Sequence, residues 1–303
     1  MNNYNNTKNN LYYENAEQLM AVCKRENKRI FEIATLMEMQ ETGCSKQDLI
    51  DYFDTCLKVM EKSSKEAFLN IDNIGESMIK GVTLKQYEYS KKSNTITGEF
   101  INYAMALACS SSELNASLGK ICACPTAGSC GILPSVLVSL YEKEGNNFSR
   151  EDILNALITA TTIGWIFTKN ATVAGAEGGC QAECGVASSM GAAASCYLYG
   201  GTDEECLNSA VIAIVNVMGL VCDPVAGLVQ IPCIYRNSSG AINALISADM
   251  ALAGQSIPIP FDEVVQAMYE VGKMLPPQLR ETAQGGIANT KTAKQIERDI
   301  FNN

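Results

Sequence analysis

Two stretches of the chain carry paired cysteines where regular structure must break. They are NATVAGAEGGCQAECG at residues 170–185, with Cys180 and Cys184, and GLVCDPVAGLVQIPCIYRN at 219–237, with Cys222 and Cys233. Gly178 and Gly179 precede Cys180, and Pro232 precedes Cys233, so the backbone is able to bend around something bound at either sulfur. Thiolates arriving from separate segments are what an iron–sulfur cluster or a zinc ion needs, because each sulfur must approach the metal from its own direction. Free cysteine is also a common core residue, so packing stands beside ligation for each of the four.

A third stretch, ICACPTAGSCGILPS at 121–135, suggests different chemistry. Thr126, Gly128 and Ser129 supply hydroxyls and a flexible backbone whose amides could converge on an anion, with Pro134 and Ser135 opening the next helix. A carboxylate cradle is the functional reading, and a turn joining two buried helices is the structural one. Cys124 and Cys130 read as core or wall residues. The chain has no histidine, which removes the commonest general base and a frequent metal ligand. Proton transfer must then use lysine, carboxylate, tyrosine, cysteine or another chain.

The strings CPTAGSCGILPSVL, NATVAGAEGGCQAECG and GLVCDPVAGLVQIPCIYRNSSGAINALISADMALAG, in that order, resemble the alpha chain of the iron–sulfur-dependent L-serine dehydratases. The resemblance runs from about residue 14 to about residue 292. It implies a largely helical catalytic domain that deaminates L-serine to pyruvate and ammonia through a [4Fe-4S] cluster on three cysteines, without pyridoxal phosphate. The residues alone leave pyridoxal phosphate open. The cysteine pattern of the family falls on Cys180, Cys222 and Cys233, leaving Cys184, one helical turn from Cys180, outside the set. Its substrate contacts fall in the Thr126–Gly128–Ser129 string and so favour the cradle, with Asn170 a further candidate contact. Lys169, Glu177 and Glu183 are the local candidates for the base and none stands out; Lys169 and Glu177 are carried as catalytic.

Serine deamination needs help at both ends of the Cα–Cβ bond, since the α-proton is weakly acidic and the 3-hydroxyl leaves poorly. An iron with an open coordination position can act as a Lewis acid on that hydroxyl, so three protein ligands suit the chemistry better than four. The resemblance includes relatives that close the cluster with a cysteine near their own C-terminus, whereas the last cysteine here is Cys233. The fourth iron is therefore expected to be free, or capped by water or a partner. Ala174 stands where many relatives have serine. Families of this type either split into alpha and beta chains or fuse the two. A beta chain that completes the pocket, and is a potential source of the base, is the expected partner of this chain. The alternatives are an iron–sulfur L-cysteine desulfidase and a non-catalytic metal-binding or cluster-sensing protein.

Composition bounds these readings independently. The 303 residues, 47% apolar, suffice for a substantial core. A net charge of −10 argues against a nucleic-acid or anionic-membrane surface, and an anionic substrate would need a local cation. Thirteen cysteines, an odd number, and no signal segment fit a reducing cytoplasm better than a secreted disulfide framework. The most apolar run, 210–221, is interrupted by Asn216 and is shorter than the ~18 residues of a membrane span.

Neither strand alternation nor a long repeat stands out. The expectation is one all-α catalytic domain over residues 14–303, with a cluster held in loops between helices, after an asparagine-rich disordered tail at 1–13. Helices are expected at 16–26, 30–41, 46–62, 65–79, 135–143, 150–167, 203–217, 241–253, 261–274 and 292–299, with Ser45, Ser149 and Thr202 as caps. Residues 89–97 read as a surface loop. The small-residue run after Gly185 reads as a helix that lets its neighbours approach closely.

Overall fold

A computed structural model describes residues 11–143 and 145–301, and among these it is all-helical. In chain order the helices are α1 (Ala16–Glu26), α2 (Ile30–Thr42), α3 (Lys46–Leu69), α4 (Val82–Ser90), α5 (Gly98–Ala116), α6 (Ile132–Glu142) and α7 (Arg150–Asn170). After the single turn α8 (Gly175–Gly178) come α9 (Val186–Leu198), α10 (Asp203–Val215), α11 (Cys233–Leu252), α12 (Phe261–Met274) and α13 (Lys291–Phe301). The one extended pairing among the described residues is an isolated parallel bridge between Cys222 and Arg280.

Capping chemistry fixes several of the starts. Ser45, Ser149 and Thr202 each accept from the backbone of Asp48, Asp152 or Glu205, whose carboxylates accept in return from the cap backbone. Each such cap stabilises its helix by about 1 kcal/mol. At α1 the Asn15 side chain accepts from Gln18 N, and Asp262 at the start of α12 accepts from Ala16 N and Glu17 N at 2.8 and 2.9 Å. The N-terminal helix is thereby tied to the other end of the chain. Leu11 and Tyr13, in the described part of the expected tail, are buried in the core with Tyr12 exposed between them; residues 1–10 lie outside the described residues.

The core is centred on α9, which packs against α6, α7, α10 and α11. Twelve of its thirteen residues are buried, in the sequence VASSMGAAASCYL. Small side chains make that burial feasible. A Cβ built on Gly191 would lie 3.0 Å from Ala244 Cβ of α11, so the two backbones are already in close approach. Around this centre the larger side chains of α7 and α12 close the layer, with Phe167 and Phe261 edge to face at 5.3 Å. Trp165 is partly buried and packs edge to face on Tyr13 at 5.3 Å.

Two expected helices differ, and α4 and α5 form where no helix was expected. The separate helix at 65–79 does not form, because α3 runs unbroken to Leu69 and only a short turn, Ile71–Asn73, follows. Ser63 and Ser64 return their hydroxyls to the carbonyls of Met60 and Glu61, so the polar stretch does not interrupt α3. The same stretch is bonded to α5, through Ser110 Oγ to Ser63 O and Ala67 N to Ser110 Oγ. Helix α5 itself had no counterpart in the sequence reading. Helix α11 starts at Cys233, eight residues before the expected start, because Asn237 and Ser238 find carbonyl partners inside the fold.

Candidate metal centre

The cysteines of the two islands lie mainly at helix entrances. Cys180 precedes one wide π-type turn, Gln181–Gly185, that leads directly into α9, and Cys233 is the first residue of α11. Cys222 alone sits in an extended segment, where its N–H donates to Leu279 O at 2.8 Å and its carbonyl accepts from Glu281 N at 2.7 Å. The expectation of sulfurs carried by loops is corrected accordingly. A wide turn is strained relative to an α-helix and recurs at functional sites. Here it sets Cys180 and Cys184 one turn apart with their sulfurs 3.4 Å from each other. Gly179 makes the bend into it at φ +75°, in a space where a Cβ would stand 2.8 Å from Leu220 O.

All four sulfurs are buried. Hydrogen bonds from Cys184 and Cys222, with the charge of Arg236, hold the Cys180 thiol well below the usual range despite its burial. The same bonds and burial raise Cys184 and Cys222, and burial pushes Cys233 up to about 12. The pattern is one thiolate served by neighbouring thiols. Arg236 donates to Val221 O at 2.8 Å and to Asp223 Oδ1 at 2.7 Å, so the cation beside Cys180 is held by the Cys222 segment.

The cradle string meets this cluster through Glu183. Thr126 Oγ1 donates to Glu183 Oε1 at 2.6 Å, and Glu183 Oε2 lies 3.8 Å from Cys222 Sγ. Gly128 and Gly175 enclose the carboxylate so closely that a Cβ on either would stand 2.7 or 2.5 Å from one of its oxygens. Burial and the charge of Cys180 push Glu183 up to about 7, against the Thr126 hydroxyl. Ser129 donates to Cys124 O at 3.3 Å and shapes the turn from within.

The other proposed residues make different contacts. Lys169 is exposed and pairs with Glu14 at 3.6 Å, and Asn170 spends its amide on the carbonyls of Glu14 and Ile166. Glu177 is exposed and accepts from Thr172. Asp223, Arg236 and Asn237 drew no role from sequence reasoning. A signal for the first two was present, since they are the only charged residues in the island that carries Cys222 and Cys233.

Among the described residues no three His, Cys, Asp or Glu side chains form a preassembled metal-binding group. The donor chemistry nonetheless fits an iron–sulfur group. The sulfurs of three segments are buried, one is already favoured as thiolate, and Arg236, whose charge acts on Cys180 and Cys233, would offset the negative charge of a thiolate-bound cluster.

The family model described as serine dehydratase alpha chain matches residues 25–288. The chain is 48% identical over 286 residues to the L-serine dehydratase alpha chain of Peptoniphilus asaccharolyticus, covering 94% of this chain and 97% of that one. It is 41% identical to the probable L-serine dehydratase alpha chain of Bacillus subtilis (strain 168), covering 95% of each. It is 36% identical to an L-serine dehydratase of Helicobacter pylori (strain ATCC 700392 / 26695), covering 92% of this chain and 62% of that protein. With the cysteine centre and the cradle turn joined as described, this chain belongs to the serine dehydratase alpha-chain family.

Proposed function

We propose that this chain deaminates L-serine to pyruvate and ammonia as the alpha chain of an iron–sulfur-dependent L-serine dehydratase. Residues 14–303 would form one catalytic domain, with a [4Fe-4S] cluster on Cys180, Cys222 and Cys233. The observation that carries the reading is Glu183, a buried carboxylate pinned by Thr126 beside Cys222. It makes the cradle turn and the cysteines one site. A cluster so held would supply a Lewis acid for the departing 3-hydroxyl.

The chain's own residues would do the rest. The turn carrying Thr126, Gly128 and Ser129 receives the substrate carboxylate, with Ser129 fixing its shape through Cys124 O. Thr126 holds Glu183 Oε1, which leaves Oε2 to take the α-proton. Loss of the proton and of the hydroxyl yields aminoacrylate, which tautomerises and hydrolyses to pyruvate and ammonium without further catalysis. Lys169 and Asn170, turned to Glu14, have no part in this reading, and Glu177 is a surface acid tied to Thr172.

A beta chain is the proposed partner, as the alpha-chain designation of the relatives suggests. Thirteen free cysteines support a reducing cytoplasm as the compartment, and among the described residues no helix is long and apolar enough to cross a membrane. The test is anaerobic reconstitution with iron and sulfide, followed by pyruvate assays with L-serine and L-cysteine, with and without the beta chain. Pyruvate from serine is the expected result. Pyruvate and sulfide from cysteine alone would establish the desulfidase instead, and bound iron without turnover of either would establish a binding role.

A further inference from the structure

One buried amide joins the two halves of the site, with both of its donor hydrogens committed to backbone carbonyls. Asn237 lies in the first turns of α11 and is 1% exposed. Its Oδ1 accepts from Gly131 N at 2.8 Å, while its Nδ2 donates to Gly128 O at 2.7 Å and to Cys233 O at 2.8 Å. The orientation is forced by the partners, since the reversed amide would set an oxygen against two carbonyls and a nitrogen against an N–H. Both donor hydrogens are used. With its donors committed and the residue 1% exposed, its effect passes through the backbone it holds.

That backbone is the cradle turn on one side and the start of the Cys233 helix on the other. Gly128 is gripped from two directions, by Asn237 at its carbonyl and by Glu183 at its Cα, where a Cβ would lie 2.7 Å from Oε1. Gly131 is equally confined, with Ala108 O 2.3 Å and Asn237 Oδ1 3.1 Å from the place a Cβ would occupy. The turn has little room to settle elsewhere while the amide is present. Without it, the N–H of Gly131 is left buried and short of a partner, the carbonyl of Gly128 keeps only the long contact from Cys184 Sγ at 4.0 Å, and the turn must move to satisfy them.

We propose that Asn237 is a positioning residue that sets the register between the cradle turn at 126–131 and Cys233. This rests on the serine dehydratase reading for its catalytic consequence. Misplacement of a substrate by about 1 Å lowers turnover by up to about a hundredfold, whereas binding to an otherwise intact turn changes less.

Asn237→Ser isolates the effect. A serine hydroxyl in a helix bonds the carbonyl four residues back, which here is Cys233 O, so the variant keeps the bond inside α11 and loses only the two that cross to the turn. In the iron–sulfide-reconstituted protein, with its beta chain, kcat for L-serine should fall about ten- to a hundredfold. KM should change less than about threefold, and iron and sulfide per chain should be unchanged. Hydrogen exchange at the Gly131 amide should speed up selectively. Unchanged kcat, a rise in KM alone, or loss of iron in step with activity would overturn the assignment. Asn237→Asp, nearly isosteric, keeps the acceptor for Gly131 N and loses both donors, so its kcat should fall in the same direction while Gly131 stays protected, and its kcat serves if the serine variant folds poorly. Should the wild type form no pyruvate from serine, the functional reading fails and exchange alone judges Asn237. Release of Gly131 in the serine variant supports the register role, and equal protection in both proteins refutes it.

Discussion

The sulfurs of Cys180 and Cys184 stand 3.4 Å apart across one wide turn, yet their ionisation is opposed, with Cys180 favoured as thiolate and Cys184 as thiol. The proposed ligand set leaves out Cys184, which has a different use as a hydrogen-bond partner of its neighbour. Serine at 184 retains a donor at about that position. Cys184→Ser is therefore expected to keep iron and most activity, while serine at 180, 222 or 233 loses both. Anaerobic iron and sulfide counts on the four variants check this, and an equal loss from Cys184→Ser would rule out the three-ligand assignment.

Glu183→Gln preserves the size of the side chain and a partner for Thr126 but removes the proposed acceptor for the α-proton. Turnover of L-serine should fall by about a hundredfold or more with iron content intact. Retention of near-normal kcat would move the base elsewhere, to the beta chain or to another residue.

Gly175→Ala tests how closely that carboxylate is confined. The new methyl would stand 2.5 Å from Glu183 Oε2 and 3.2 Å from Cys222 Sγ, so the carboxylate must shift. Activity is expected to drop at least about tenfold, by loss of orientation. Thr202→Ala is the control, because it removes only the α10 cap. It should lower stability by about 1 kcal/mol in urea titration and leave turnover unchanged.

Much of the architecture was legible because it rests on local signals. The capping boxes at Ser45, Ser149 and Thr202 and the boundaries of α1 and α12 follow from residues within one turn of each helix end. The helix expected at 65–79 and the late start given to α11 failed for different reasons. Ser63 and Ser64 bond carbonyls three residues back within α3, whereas Asn237 and Ser238 reach Gly128 O and Met105 O, carbonyls that only the folded chain brings near. The site divides in the same way. Thr126 and Gly128 could be singled out from composition, whereas the link from Thr126 to Glu183 spans 57 residues and has no local signature. Lys169 and Asn170 were chosen for closeness in sequence to Cys180, but the end of α7 turns them toward Glu14.

The buried pair Asp223–Arg236 gives the last expectation. Asp223 Oδ1 accepts from Arg236 Nη2 at 2.7 Å, and Oδ2 accepts from Ile287 N at 2.8 Å, so one carboxylate holds both the cation beside Cys180 and the segment that follows α12. Arg236 in turn fastens Val221 O, the carbonyl next to Cys222. Removing Asp223 leaves a guanidinium and an N–H without their acceptor in a place where Asp223 itself is 2% exposed. Breaking a buried pair from one side costs about 3–5 kcal/mol. Asp223→Ala should lose about that much stability and shed iron more readily, because the Cys222 segment is no longer fastened. Arg236→Lys should fall between it and the wild type, since an ammonium keeps the charge but cannot span Val221 O and Asp223 as the guanidinium fork does. Urea titrations of the apo-proteins and iron-release rates of the loaded ones measure the two effects separately. If Asp223→Ala stayed within about 1 kcal/mol of the wild type, below the range for a broken buried pair, the pair would not be what holds the Cys222 segment in place.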